Sequence, residues 1–265
     1  MTRRWQSWWK RGWILVAVGV FLGCGPEKKP NPCRNPQFVE VMKEEGAAYY
    51  HKGRYIDALR AVKDAEACNP KDPELYYWMG LIYFRRDKHY DAIECLKKSL
   101  KINPEYTESH MALGVIYLGL ERWDEAIVQF EFAADDDLFT RPWEAHNNMG
   151  WAYMQKGEQA LAEVNLKKAI RLNKNYCPAY CNLGELSSQK GNRREAIEHY
   201  NKAISICPQN YARPHFLLAV EYGRLGHFDR ACAEFAAASK VPDAPEAEQA
   251  VKYMRLYNCP GVVHE

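Results

Sequence analysis

The chain has 265 residues, of which 47% are hydrophobic, and a formal net charge of +2. This hydrophobic content is ample for a packed fold and excludes a wholly disordered chain. A charge this close to zero does not favour a nucleic-acid-binding protein, which needs a basic face.

The first 23 residues have the pattern of a secretory signal. Basic side chains precede an apolar run at 13–22, and this run is shorter than the roughly 20 residues that span a bilayer. Removal of residues 1–23 changes the net charge from +2 to −2, so the slight basicity belongs to the signal. The basic residues are Arg3, Arg4, Lys10 and Arg11.

The end of the apolar run, Phe21-Leu22-Gly23-Cys24, resembles a bacterial lipobox with Phe21 in place of the usual leucine. The resemblance implies that Cys24 becomes the lipidated first residue, and Gly25 is compatible with sorting to the outer membrane. The chain would then face the periplasm, with residues 24–38 as a proline-rich, semi-rigid tether. The alternative is an ordinary signal peptide or an uncleaved anchor, in which the cysteine is incidental.

From residue 39 to residue 245 the chain repeats a pattern of small and aromatic residues. A small residue recurs at spacings of 34, 34, 36, 34 and 35, and an alanine follows it twelve residues later in every unit. An aromatic side chain stands three residues after the small residue, except at Ser187. The small residues are Gly46, Gly80, Gly114, Gly150, Gly184 and Ala219; the alanines are Ala58, Ala92, Ala126, Ala162, Ala196 and Ala231.

This pattern is similar to the tetratricopeptide repeat (TPR), a helix-turn-helix unit of about 34 residues. The resemblance implies an all-α fold, a right-handed α-α superhelix of six repeats closed by a C-terminal capping helix. Residues 246–265 hold this helix and a tail, because apolar residues have helical spacing there and repeat arrays require caps. The repeats are placed at 39–72, 73–106, 107–140, 143–176, 177–210 and 212–245.

Eight of the nine cysteines remain after Cys24 is set aside, in a compartment where disulfides persist. The two helices of a repeat run antiparallel, so the start of the first lies beside the end of the second. This relation predicts the pairs Cys33–Cys68 and Cys177–Cys207. A third pair, Cys232–Cys259, is predicted because a returning C-terminal helix would bring Cys259 to the start of the last second helix. Each disulfide would add about 3–4 kcal/mol to the free energy of unfolding in the chain-entropy model. Cys95 and Cys181 are expected to be buried thiols.

No catalytic motif is recognisable, and we predict no enzymatic activity, cofactor, metal or small-molecule substrate. His110, His146 and His215 recur at one repeat position, either as a ladder of ligands or, as we favour, as half-polar replacements for the family's usual tryptophan. Cys177 and Cys181 stand one helical turn apart, as two metal ligands would. A disulfide plus a core thiol is the interpretation that we favour.

In TPR proteins the first helices line a concave face, and particular positions there contact ligands. Carried over to this chain, these positions form a groove with an apolar floor, which marks a binding site and suits an amphipathic segment of a partner. The alternative is that the opposite superhelical turn or the C-terminal helix covers them. The predicted groove residues are Tyr77, Leu81, Phe84, Arg85, Met111, Val115, Leu118, Asn147, Trp151 and Met154, followed by polar Glu185, Ser188 and Gln189 and then by Phe216 and Val220.

The lipobox, the short tether and the six repeats together resemble the outer-membrane pilotin lipoproteins of type IV pili, the PilF, PilW and Tgl type. The resemblance implies a protein partner, a subunit of the secretin pore, and a lipid anchor in the membrane, with no nucleic acid. A general envelope scaffold that tethers cell-wall or outer-membrane assembly proteins is the alternative function.

Overall fold

The structure is a computed structural model that describes residues 31–207 and 211–260. The predicted signal and Cys24 lie outside these residues. The described part contains thirteen α-helices and no strand, with a short 3-10 helix at Pro32–Arg34. The helices are α1 (Phe38–His51), α2 (Tyr55–Cys68), α3 (Pro73–Phe84), α4 (His89–Ile102), α5 (Thr107–Gly119), α6 (Trp123–Asp135), α7 (Pro142–Gln155), α8 (Gln159–Leu172), α9 (Cys177–Gln189), α10 (Arg193–Ile206), α11 (Arg213–Arg224), α12 (Phe228–Ser239) and α13 (Pro245–Leu256).

The first twelve helices pair as six consecutive hairpins, from α1 with α2 to α11 with α12. The first helix of each hairpin also packs on the first helix of the next, so these helices stand side by side along the array. This arrangement confirms the predicted all-α TPR superhelix. The helix α7 begins at Pro142 and α13 at Pro245, each one residue before its predicted start, because proline at the first helical position needs no hydrogen-bond partner for its nitrogen.

Each of the first five hairpins is closed by a glycine of its first helix, which lies against a large side chain of its second helix. A Cβ atom added to Gly114 would stand 2.6 Å from Cε1 of Phe130, a distance that real Cβ atoms do not show. Only glycine therefore permits this approach at the observed helix separation. The pairs are Gly46–Val62, Gly80–Leu96, Gly114–Phe130, Gly150–Leu166 and Gly184–Tyr200.

The turn inside each hairpin contains one residue with positive φ. Glycine occupies this position in four repeats, while Asp87 and Glu121 adopt φ angles of 56° and 57° in the second and third repeats. These two side chains pay a steric penalty that glycine avoids, since the left-handed region crowds Cβ against the following carbonyl. The glycines are Gly53, Gly157, Gly191 and Gly226.

The helix α13 covers the apolar end of the array by packing on α11 and α12. Tyr253 stacks on Phe235 with ring centroids 5.1 Å apart, and Tyr257 lies against Gly223. This packing is the arrangement expected of a capping helix. None of the described helices has both the length and the apolar character needed to cross a bilayer.

Two disulfides join the ends of a hairpin, and a third joins the start of α12 to the residues after α13; they are the three predicted pairs. The first, Cys33–Cys68, holds the segment before α1 against the end of α2. The predicted tether 24–38 is therefore attached to the first repeat from Cys33 onward, so only its earlier residues remain to act as a spacer. The other pairs are Cys177–Cys207 and Cys232–Cys259.

Two substitutions in α5 test the role of the glycine contact. We expect Gly114→Ala to lower the free energy of unfolding by about 1–3 kcal/mol, because its methyl group overpacks Phe130. The matched control is Gly119→Ala, since nothing lies within 4 Å of a Cβ atom added there. Alanine favours a helix over glycine, so the control should be neutral or slightly stabilising. Urea unfolding followed by circular dichroism measures both, and equal stability of the two variants would contradict the account.

Candidate partner-binding groove

Nine of the ten predicted groove residues lie on the first helices of repeats two, three and four, α3, α5 and α7, and Arg85 directly follows α3. Because these helices pack side by side, their side chains belong to one surface. Eight of the ten keep contact with solvent: Arg85 is exposed, Val115 is 39% exposed and the other six are half-buried. The half-buried residues are Tyr77, Leu81, Phe84, Met111, Leu118 and Trp151.

Asn147 and Met154 are corrections to the prediction, because both side chains are buried, with 6% and 5% exposure. The Asn147 carboxamide oxygen accepts a hydrogen bond of 2.8 Å from Nδ2 of Asn182 in the next repeat. Met154 lies in an apolar cluster with Leu183 and Leu186 of α9. The two residues thus hold the fourth repeat against the fifth and are not available to a partner.

The C-terminal helix covers only the last part of the predicted groove. Phe216 of the sixth repeat lies against Tyr253 of α13, with ring centroids 5.7 Å apart, and Val220 packs into the same cluster. In the second to fourth repeats, the described helices that pack on α5 are α3, α4, α6 and α7, all close in sequence. That the groove is open there stays a prediction.

The two ends of the groove differ in their aromatic content. At the second repeat, Tyr77 meets Trp78 and Tyr106 with ring centroids 5.4 and 5.8 Å apart. At the fourth repeat, Trp151 meets Trp123 edge to face at 5.5 Å. The sequence analysis missed Trp78, Tyr106 and Trp123. For Trp78 the available signal was its place directly after Tyr76 and Tyr77; Tyr106 and Trp123 stand alone in sequence.

The polar residues around the groove are held in ion pairs and hydrogen bonds that cross repeats. Nζ of Lys43 lies 2.8 Å from Glu74 and 3.2 Å from Asp72; burial lowers the pKa of Lys43, but its carboxylate partners raise it overall. Arg213 of the sixth repeat donates to the carboxylate of Glu185 and to Asn182 of the fifth. Glu185, one of the predicted polar positions, is therefore engaged by a neighbouring repeat.

Each of the three histidines contacts a side chain on the second helix of its own hairpin. Nδ1 of His110 lies 2.8 Å from Oε1 of Gln129, and Nε2 lies 2.8 Å from the carbonyl oxygen of Pro104. In each case the partner of Nδ1 is the residue nineteen positions later, on the second helix of the same repeat. The histidines contact separate partners and do not converge on one ligand. The other two contacts are His146 with Asn165 at 3.1 Å and His215 with Glu234 at 2.7 Å.

The sulfur atoms of Cys177, Cys181 and Cys207 lie within 4.8 Å of one another. Two of them form a disulfide and so cannot act as thiolate ligands. Burial raises the pKa of Cys181 to about 12, which keeps its thiol protonated. In this state the cluster is a disulfide beside a core thiol, the interpretation that the sequence favoured over a metal site.

Stacked helical hairpins with a solvent-accessible face on their first helices define a class of protein-interaction scaffold, the α-solenoids. Family models narrow the class: residues 144–176 and 177–210 each match a model described as tetratricopeptide repeat. Residues 51–133 match a model described as subunit 3 of the anaphase-promoting complex, or cyclosome. No curated protein matches the chain.

Solved structures agree with this assignment. The chain is similar to PilW, described as a widely conserved type IV pilus biogenesis factor, with 22% identity and a TM-score of 0.71 over 82% of this chain and 100% of PilW. It is similar to PilF of Pseudomonas aeruginosa, with 18% identity and a TM-score of 0.69 over 80% of this chain and 96% of PilF. MamA is 30% identical, with a TM-score of 0.52 over 66% of this chain and 98% of MamA. The chain belongs to the tetratricopeptide-repeat family.

A cysteine substitution tests the geometry of the sulfur cluster. In a Cys177→Ser variant, we expect Cys181 and Cys207 to form a disulfide, because their sulfur atoms already lie within 4.8 Å. The oxidation removes two electrons and two protons, which glutathione disulfide accepts during refolding. Mass spectrometry of unreduced peptides identifies the bond, and Cys181→Ser is the control that keeps the Cys177–Cys207 disulfide. Free thiols at both Cys181 and Cys207 in the first variant would contradict the expectation.

Proposed function

We propose that this protein is a periplasm-facing lipoprotein that binds an amphipathic segment of a secretin subunit and promotes assembly of the type IV pilus secretin in the outer membrane. The observation that carries the proposal is the largely apolar surface of eight accessible residues on α3, α5 and α7. The similarity of fold to PilW and PilF along nearly their whole lengths supports it. As a family, TPR scaffolds bind proteins, in line with the prediction of a protein partner.

The groove would lower the free-energy cost of carrying a membrane-inserting subunit through water. A subunit that later inserts into a membrane carries apolar surface, and each Å² of that surface costs about 25 cal/mol to expose. A groove that covers the surface lowers this cost until subunits meet. Release then requires that contacts between subunits, or with lipid, are more favourable than contacts with the groove.

Lipidation of Cys24 would place the groove beside the membrane in which the pore forms. The predicted proline-rich tether would be short, because the Cys33–Cys68 disulfide attaches the chain to the first repeat from Cys33 onward. A short tether converts the second binding event into an intramolecular one and raises the effective concentration of the bound subunit at the bilayer. The same anchor would keep the protein at the site of assembly after release.

One observation favours the alternative of a general envelope scaffold. Exposed apolar side chains also occur on the second helices of the third and fourth repeats, which lie on the opposite side of each hairpin. Two partner surfaces would suit a protein that holds several components together. These residues are Val128, Phe132, Leu161 and Val164. Crosslinking in envelope membranes, followed by identification of the partners, distinguishes a secretin subunit from several unrelated proteins.

A pair of matched substitutions tests the proposed function. Val115→Asp places a carboxylate on the groove, whereas Val128→Asp places one on a second helix, and the two valines are 39% and 46% exposed. Because burying a charge against an apolar segment is costly, we expect Val115→Asp to reduce SDS-resistant secretin multimers at least tenfold. Trp151→Ala should have the same direction of effect.

The control Val128→Asp should leave multimers at the wild-type level. Circular dichroism and labelling with a fatty-acid analogue would establish that each variant folds and is lipidated. Normal multimers in both Val115→Asp and Trp151→Ala would overturn the proposed role of the groove.

A further inference from the structure

We propose that the groove has a cation-binding end at repeats one to three, so that its occupant is a protein segment with lysine or arginine beside its apolar anchors. The proposal rests on the proposed function only in taking a partner segment as the occupant. It adds the charge and the orientation of that segment. Aromatic rings carry the inference together with carboxylates at the same end of the groove, which share one lysine or, at Glu108, have no ion-pair partner among the described residues.

The aromatic part of this end centres on Tyr77, which is half-buried. Trp78 and Tyr106 flank it at ring-centroid distances of 5.4 and 5.8 Å, with interplanar angles of 60° and 70°. Tyr50 of the first repeat reaches Trp78 at 5.7 Å. Rings at such angles present both faces and edges to the same space. An ammonium or guanidinium group within about 6 Å of a ring face is attracted by its quadrupole.

The acidic part is a row of glutamates at one repeat position. Each occupies the first turn of the first helix in its repeat, and the first helices stand side by side, so the glutamates follow one edge of the groove. The row stops after four repeats, where Pro178 and then Arg213 take the equivalent positions. The four residues are Glu40, Glu74, Glu108 and Glu144.

The negative charge of this row is only partly compensated in the first three repeats. In the first two repeats one cation, Lys43, serves Glu40, Asp72 and Glu74, at 3.0, 3.2 and 2.8 Å. In the third, Glu108 is exposed and has no ion-pair partner among the described residues. In the fourth repeat Glu144 is paired with Arg141 at 3.1 Å. In the fifth the row has no glutamate, and Glu185, at another position of α9, is paired with Arg213.

The titration of the tyrosines agrees with this distribution. Burial first, and then the charge of Glu108, raise the pKa of Tyr77 to about 12, against an opposing effect of Arg141. Burial likewise raises the pKa of Tyr106, with Glu74 and Glu108 adding to it. The carboxylates of Glu74 and Glu108 thus act on the aromatic rings at the end of the groove where we place the partner's cation.

The chemistry that fits this end is a lysine or arginine side chain, attracted by the rings and by the carboxylates together. The apolar anchors of the same segment would lie over Val115, Leu118 and Trp151, which fixes the direction of the segment along the array. Packed helices lie about 8–10 Å apart, so neighbouring glutamates of the row match every third residue of an extended segment at about 3.3 Å per residue. A segment with acidic residues at this end would be repelled.

The probe for the test is a phage-displayed library of random dodecapeptides, selected on the full chain purified in a nonionic detergent. We expect enriched peptides to carry lysine or arginine at one end and apolar residues at the other. Fluorescence anisotropy then gives the Kd of a selected peptide for the variants. Reversal of one exposed charge, Glu108→Lys, should raise this Kd at least fivefold, while Glu198→Lys on α10 is the control and should leave it unchanged.

The Val115→Asp variant separates the two proposals. Peptides that need Val115 but show no basic preference, or bind Glu108→Lys as tightly as wild type, would overturn the cation-binding end and leave the groove standing. Peptides that bind the wild-type protein and the Val115→Asp variant equally well would count against the groove and the cation-binding end together. A failure to enrich any peptide would do the same.

Discussion

The structure depends on the contact between a glycine of each first helix and the large side chain sixteen residues later. At Gly114 and Phe130 there is no room even for a methyl group. This contact sets the separation of the two helices in a hairpin, and the hairpins then stack with their first helices adjacent. The groove exists because five such contacts, with Ala219 in the sixth repeat, place side chains from successive repeats on one surface.

The covalent links and the cap protect the ends of this array. A solenoid has no closed core, so its terminal repeats would otherwise expose an apolar face. The Cys33–Cys68 disulfide links the two ends of the first repeat. At the other end α13 packs on the last repeat, and the Cys232–Cys259 disulfide links it to α12. The middle repeats, which carry the groove, have neighbours on both sides and no disulfide in the described residues. Their surface is consequently determined by noncovalent contacts, both apolar packing and the hydrogen bonds between repeats.

The sequence predicted the features that depend on spacing within a repeat. Glycine and alanine at fixed intervals indicated the hairpins, and the antiparallel path of the chain indicated the cysteine pairs. Predictions for residues whose burial depends on contacts between repeats were wrong, and the aromatic contacts were missed. Asn147 and Met154 occupy positions that face ligands in other TPR proteins, yet here Asn182 and Leu183 of the next repeat cover them. The aromatic cluster around Tyr77 likewise joins residues of two repeats, and periodicity alone does not show which side chains meet.

The central claim is that a partner segment binds the first-helix face of repeats two to four, and a site-specific photocrosslink tests it most directly. A benzophenone amino acid is placed at Val115 on α5 in one strain and at Val128 on α6 in another, positions of similar exposure. The account predicts that irradiation of intact cells crosslinks a secretin subunit at position 115 and not at 128. Crosslinking of that subunit at 128 alone, or equally at both positions, would contradict it.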